Sequence, residues 1–178
     1  MTTHAVLVPN MIAAMNIDSL NRSAQSASDV DNGNIVILTS RVSGQPEVFT
    51  AVVPSTANGL TGVWIAYDPE IVLTAAKYKG IDPDPRNYYN EIGKTFSVFK
   101  PQIGDIITLT AEALAGSKDA NTFANATDTT GGLKPLWGAT QTASVFSLKL
   151  LATTYISIAD GSIGNQRVTA YQFEVVGI

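Results

Sequence analysis

Short apolar runs recur along the chain, each bounded by turn-forming residues. The stretch at 29–40 (DVDNGNIVILTS) sets the pattern: an acidic, Gly-containing head, then a β-branched run. Residues 47–53 (EVFTAVV) and 62–67 (GVWIAY) have the same bounded, β-branched and aromatic character, so all three read as strands. Ser43-Gly44-Gln45-Pro46 punctuates the first two, and Asn58-Gly59 is a hairpin-type dipeptide. Residues 95–100 (TFSVFK) and 105–110 (DIITLT) predict two more strands, split by Pro101 and Gly104. The C-terminal third predicts strands over 143–151, 153–159 and 168–176, with Asp160-Gly161 turning the chain before the last. Thr169-Ala-Tyr-Gln-Phe-Glu-Val175 alternates polar with apolar residues, the period of a half-buried strand.

Three places favour short helices. Asp68-Pro69-Glu70 can start one over 71–78, with Asp as cap and Pro at the first helical position. Asp84-Pro85 can start another over 86–92, stopped by Gly93. Residues 110–116 predict one or two helical turns ended by Gly116. The rest reads as connection: 16–29 as polar loop, and 117–132 as a long exposed loop. Residues 4–8 (HAVLV) predict a strand or an extended arm, and 11–15 (MIAAM) a helical turn. The fold class expected is mainly β, an antiparallel barrel or sandwich with two or three short inserted helices. Residues 1–20 form an N-terminal arm or edge segment, and 21–178 a single β-rich domain.

Composition narrows the function classes. At 178 residues the chain can bury a sizeable core. It has no cysteine, which excludes disulfides and thiolate metal sites. Eleven basic against 15 acidic side chains give a net charge of −4, with no electropositive stripe for nucleic acid. Only 15% of residues are charged, below the usual quarter, so small uncharged side chains cover much of the surface and suit close protein contact. No apolar run is long enough to span a membrane as a helix, and the first residues make a poor secretion signal.

The motifs that hint at chemistry have simpler structural explanations. A calcium loop needs its Gly at the sixth position and a bidentate Glu at the twelfth; here Gly33 is one residue early and the twelfth position is Ser40. Asp31-Asn32-Gly33 therefore reads as a turn, because Asp and Asn bond to local backbone and Gly takes positive φ. Gly93-Lys94-Thr95 lacks the preceding glycine of a phosphate loop and leads into a strand rather than out of one. His4 is the only histidine. Asp68, Glu70, Asp82, Asp84 and Glu112 sit where helix starts favour carboxylates. No catalytic, cofactor-binding or metal-ligating residue is assigned. Trp64, mid-strand, is expected in the core, and Trp137 at an interface, where aromatic anchors concentrate.

The order of segments has a further meaning. Asp31-Asn32-Gly33 precedes a strand; Val63-Trp-Ile-Ala-Tyr-Asp-Pro-Glu70 follows, then Tyr88-Tyr-Asn-Glu-Ile-Gly-Lys94 and Ile103-Gly-Asp-Ile-Ile-Thr-Leu-Thr-Ala-Glu-Ala-Leu114. Over residues 29–116 this resembles the head decoration, or cement, proteins of tailed phages. The resemblance implies a structural virion protein on the outside of the capsid, made in the host cytoplasm, with no catalytic residues. Its partners would be the major capsid protein and copies of itself, with neither nucleic acid nor membrane. Val6, Leu7, Val8, Met11, Ile12, Met15 and Trp137 are the interface residues expected. The alternatives are a tail- or fibre-associated β module, a carbohydrate- or small-ligand-binding β domain using Trp64, Tyr67 and Trp137, and a carboxylate-based hydrolase.

Overall fold

The computed structural model describes residues 3–71, 84–128, 132–159 and 165–178. The chain is mainly β, and its strands form two layers. In chain order they are β1 (Leu7–Met11), β2 (Asn21–Ser26), β3 (Ile35–Val42), β4 (Gln45–Val52), β5 (Trp64–Ala66), β6 (Thr95–Phe99), β7 (Ile106–Thr110), β8 (Phe123–Asn125), β9 (Leu136–Gly138), β10 (Ser147–Ala159) and β11 (Asn165–Gly177). One layer is a six-stranded antiparallel sheet in the order β1-β7-β11-β10-β8-β9. The other closes into a five-stranded barrel, β2-β4-β3-β5-β6. Its ladders are antiparallel except β2 with β4, which run parallel.

Strand alternation joins the layers. In β3, Val36 turns into the barrel with Ala24, Ala51, Phe96 and Val98, while Ile35 and Ile37 turn outward to the sheet. Ala66 and Ile65 divide in the same way, as do Val98 and Phe99. The outward set meets Ile107, Leu109, Phe146, Leu148, Phe173 and Val175 of the sheet. This period of two lets one short strand serve two cores.

The Asp31-Asn32-Gly33 segment is a turn. Asn34 N–H donates to the Asp31 carbonyl at 3.1 Å and Gly33 N–H to the Ala66 carbonyl at 2.8 Å. Gly33 has φ +86°, and a Cβ there would lie 2.6 Å from Leu109 Cδ2, so glycine is required on two counts. Gly44 at φ +76° completes the two-residue connection between β3 and β4.

Several sequence expectations change. Among the described residues the helical elements are single 3-10 turns: Ala13–Met15, Asp18–Leu20, Pro85–Asn87 and Ala111–Ala113. Asp84 caps the Pro85–Asn87 turn, accepting from Arg86 N at 2.9 Å, but Asn90 then pairs with Val30 and ends any helix. After Ala113 the chain extends at Leu114, so that Ala115 can lie beside Leu136. The helix expected over 71–78 falls almost wholly outside the described residues, as does the turn at Asp160-Gly161. Residues 21–26, read as loop, are barrel strand β2, and the loop at 117–132 contains β8, with Ala124 fully buried. The two strands expected at 143–151 and 153–159 are one, β10, with its register broken between Leu150 and Ala152.

Candidate docking surface

The N-terminal segment is an edge strand rather than a free arm. β1 pairs antiparallel with β7, Leu7 opposite Leu109 and Met11 opposite Ile106. Val6, Leu7 and Ile12 are buried at 4%, 2% and 7% exposure, so as interface residues they are corrected to core. Trp137 is corrected likewise: it is 8% exposed, its ring centroid 5.2 Å from that of Tyr171 and 5.4 Å from that of Phe173. The physical reason is shared. β1 and β9 are the two edge strands of the sheet, each has one face on the core, and the apolar residues there pack inward rather than wait for a partner.

Met11 and Met15 remain exposed, at 67% and 66%, and Val8 is about one-third exposed. Ile103, which sequence reasoning left in a turn, is exposed at 66%. One buried carboxylate brings the three most exposed together. Asp105 accepts from Ala13 N–H at 2.9 Å and from Gln102 N–H at 2.8 Å. It thus clips the Ala13–Met15 turn onto the β6–β7 turn that carries Ile103. Gly104 N–H donates to the Val175 carbonyl, which places the end of β11, with Ile178 41% exposed, at the same end of the molecule. Methionine and isoleucine left in water on backbone segments tied to one another offer apolar surface for a contact. The signal in the sequence was Ile103 followed by Gly104-Asp105: a large apolar residue in a tight turn whose aspartate bonds backbone.

A groove of about 850 Å³ begins at Met15 and runs along the barrel. Tyr67, Phe99 and Phe49 line it, with Arg22 and Arg41 at its sides. The Arg22 guanidinium lies 5.9 Å from the Trp64 ring centroid and that of Arg41 5.5 Å from the Phe49 ring. Among the described residues neither has a carboxylate within ion-pair distance. Trp64 is half-buried on the barrel and Trp137 lies in the inter-sheet core, and neither lines the groove with Tyr67.

Of the carboxylates expected at helix starts, Asp82 lies outside the described residues, while Asp68 and Glu70, like Asp31 of the turn, bond locally. Asp31 takes His4 Nδ1 at 2.7 Å, and the imidazole stacks on Tyr89 with centroids 4.6 Å apart. Asp68 accepts from Tyr88 Oη at 3.0 Å and from Ser97 N–H at 3.3 Å. Glu70 accepts from Asn32 Nδ2 at 3.2 Å and from the Leu7 backbone N–H. Burial nonetheless raises the Glu70 pKa above the usual carboxylate value, against the pull of those two bonds. Burial, and after it the Asp68 charge, pushes the Tyr88 hydroxyl well up; burial and then Glu70 do the same to Tyr67. Among the described residues no group of three or more His, Asp or Glu side chains is placed to hold a metal ion.

Compared with family models, with curated proteins and with solved structures, the chain matches none of them.

Proposed function

We propose that this chain is a structural virion protein that binds the outer surface of a tailed-phage head and bridges capsomers. The observation that carries the reading is the apolar patch of Met11, Met15 and Ile103, held open to solvent on a stiff two-layer scaffold. The segment order over 29–116, which resembles decoration proteins, supports it from the side of sequence. Burying such a side chain at a contact gives about 1.5–3 kcal/mol. A protein that makes the contact across two capsomers binds the closed shell better than separated subunits and so stabilises it by mass action. No chemical step belongs to this role. Electron microscopy of purified particles, with quantitative gel analysis of copy number, tests it: the density should sit outside the shell at a fixed ratio to the major capsid protein. Particles whose shell carries none of this chain would refute it.

The barrel groove favours a second reading, a small-ligand or carbohydrate module. Tyr67, Phe49 and Phe99 offer aromatic surface, and Arg22 and Arg41 keep unspent donors. Glycan-array screening separates the two, since a shell-binding protein without a ligand role gives no selective hit.

A further inference from the structure

Most strand edges of this fold are blunted; two stretches lie beyond their outer ladders, β10 past its pairing with β8 and β11 from Asn165 to Thr169, and the second carries Arg167. The barrel is closed, and where the β3–β4 hairpin runs past its neighbours it is broken by register shifts and carries Pro46, Arg41 and Glu47. β1 carries Pro9 and a register break between Pro9 and Met11. β9 is three residues long, and its outer side is taken: Ala115 N–H donates to the Pro135 carbonyl and Trp137 N–H to the Ala115 carbonyl. These are the devices that stop sheets from adding strands.

β10 lacks them. β8 covers only Ser147–Lys149, and Leu150 N–H donates to the Thr122 carbonyl. From Ala152 to Ile158 the strand has β11 on one side and, among the described residues, no hydrogen bond on the other. The run at 150–159, LLATTYISIA, contains no charge and no proline. Leu151 is 45% exposed and Tyr155 50%. On β11, Arg167 lies over the Tyr155 ring at 3.8 Å, on the face of the hairpin rather than at its edge.

We propose that the bare edge of β10 pairs antiparallel with the same edge of a second copy, joining two β10–β11 hairpins into one four-stranded sheet. Symmetry and charge name the occupant. A two-fold axis across a strand sets it antiparallel to itself, so one surface satisfies both partners. Every pair within the run is uncharged. In the sequence Lys149 precedes the run, and antiparallel self-pairing about Tyr155 sets the two copies' Lys149 at opposite ends. Thr, Tyr and Ile are favourable cross-strand neighbours. The pairing leaves the docking patch free, because Ser147 and Gly177 mark the patch end of the hairpin and the bare edge lies toward the other. The inference does not depend on the capsid reading.

Sedimentation velocity of the full chain over a wide concentration series is the test, with Thr153→Lys/Ser157→Lys as the main variant. Both positions are exposed, and pairing about Tyr155 sets lysine opposite lysine. Wild type should sediment as a dimer, and the variant should dimerise at least about tenfold more weakly. Tyr155→Lys alone is the second variant, and near-UV circular dichroism checks that both remain folded. Amide exchange should show residues 152–158 protected in concentrated wild type and open in the variants. A wild type that stays monomeric throughout, or a dimer undiminished in both variants, overturns the proposal.

Discussion

Asp105 binds Ala13 across 92 positions of sequence: its Oδ1 accepts from the Ala13 N–H at 2.9 Å while its Oδ2 accepts from Gln102 N–H. The carboxylate is buried, so both bonds are made where water does not compete. Asp105→Ala leaves two backbone donors without partners and should cost about 1–3 kcal/mol. Urea unfolding should show a lower midpoint at an unchanged slope. An unaltered midpoint would mean that the clip does not hold the two turns together.

The glycine in the Asp31-Asn32-Gly33 turn is equally specific. Gly33→Ala meets both a positive φ and the Leu109 side chain, and should lower stability by about 1–3 kcal/mol. Added calcium should leave the wild-type melting temperature where it was, since Asp31 spends its oxygens on His4 and on the Ala5 N–H. A rise in melting temperature with calcium would return the loop to the metal-binding class.

Leu7 and Val8 are neighbours on β1 with opposite surroundings, 2% and 36% exposed. Leu7→Ala should cost about 2–5 kcal/mol, and Val8→Ala well under 1 kcal/mol. Deleting the first 15 residues takes Ala5, Val6, Leu7, Ile12 and Ala14 out of the core, and should unfold the chain rather than free a truncated domain. A stable, cooperatively melting truncation would restore the arm.

Glu70 gives stability a pH dependence of defined sign. Its folded-state pKa is raised above the ordinary 4.5, so its contribution is fully present below that value and is lost as pH rises through the folded value. Glu70→Gln keeps one acceptor oxygen and removes the titration. Unfolding free energies measured from acid toward neutral pH should fall less in the variant than in wild type. Parallel curves would contradict the assignment.

The strands with β-branched or aromatic runs were legible in the sequence: β3, β4, β6, β7 and β11 fall close to where the pattern puts them. β2 was not. Asn-Arg-Ser-Ala-Gln-Ser is strand because β4 and β6 flank it, and only Ala24 and Ser26 turn inward. β8 shows the same override, Phe123-Ala-Asn125 being held between β9 and β10. Propensity is weak for such residues, and sheet pairing decides. At the candidate site, Met11 and Met15 were legible as exposed apolar positions; Val6, Leu7, Ile12 and Trp137 were not separable from them until register set their faces. Ile103 needed Asp105, whose bond to Ala13 no local pattern shows.

The docking claim is tested most directly by binding to capsids purified without this protein. Met11→Asp/Ile103→Asp replaces two side chains that are both about two-thirds exposed. The account predicts wild-type melting together with loss of capsid binding by about a hundredfold or more, about 2.7 kcal/mol or above. A folded double variant that binds capsids as tightly as wild type would contradict it.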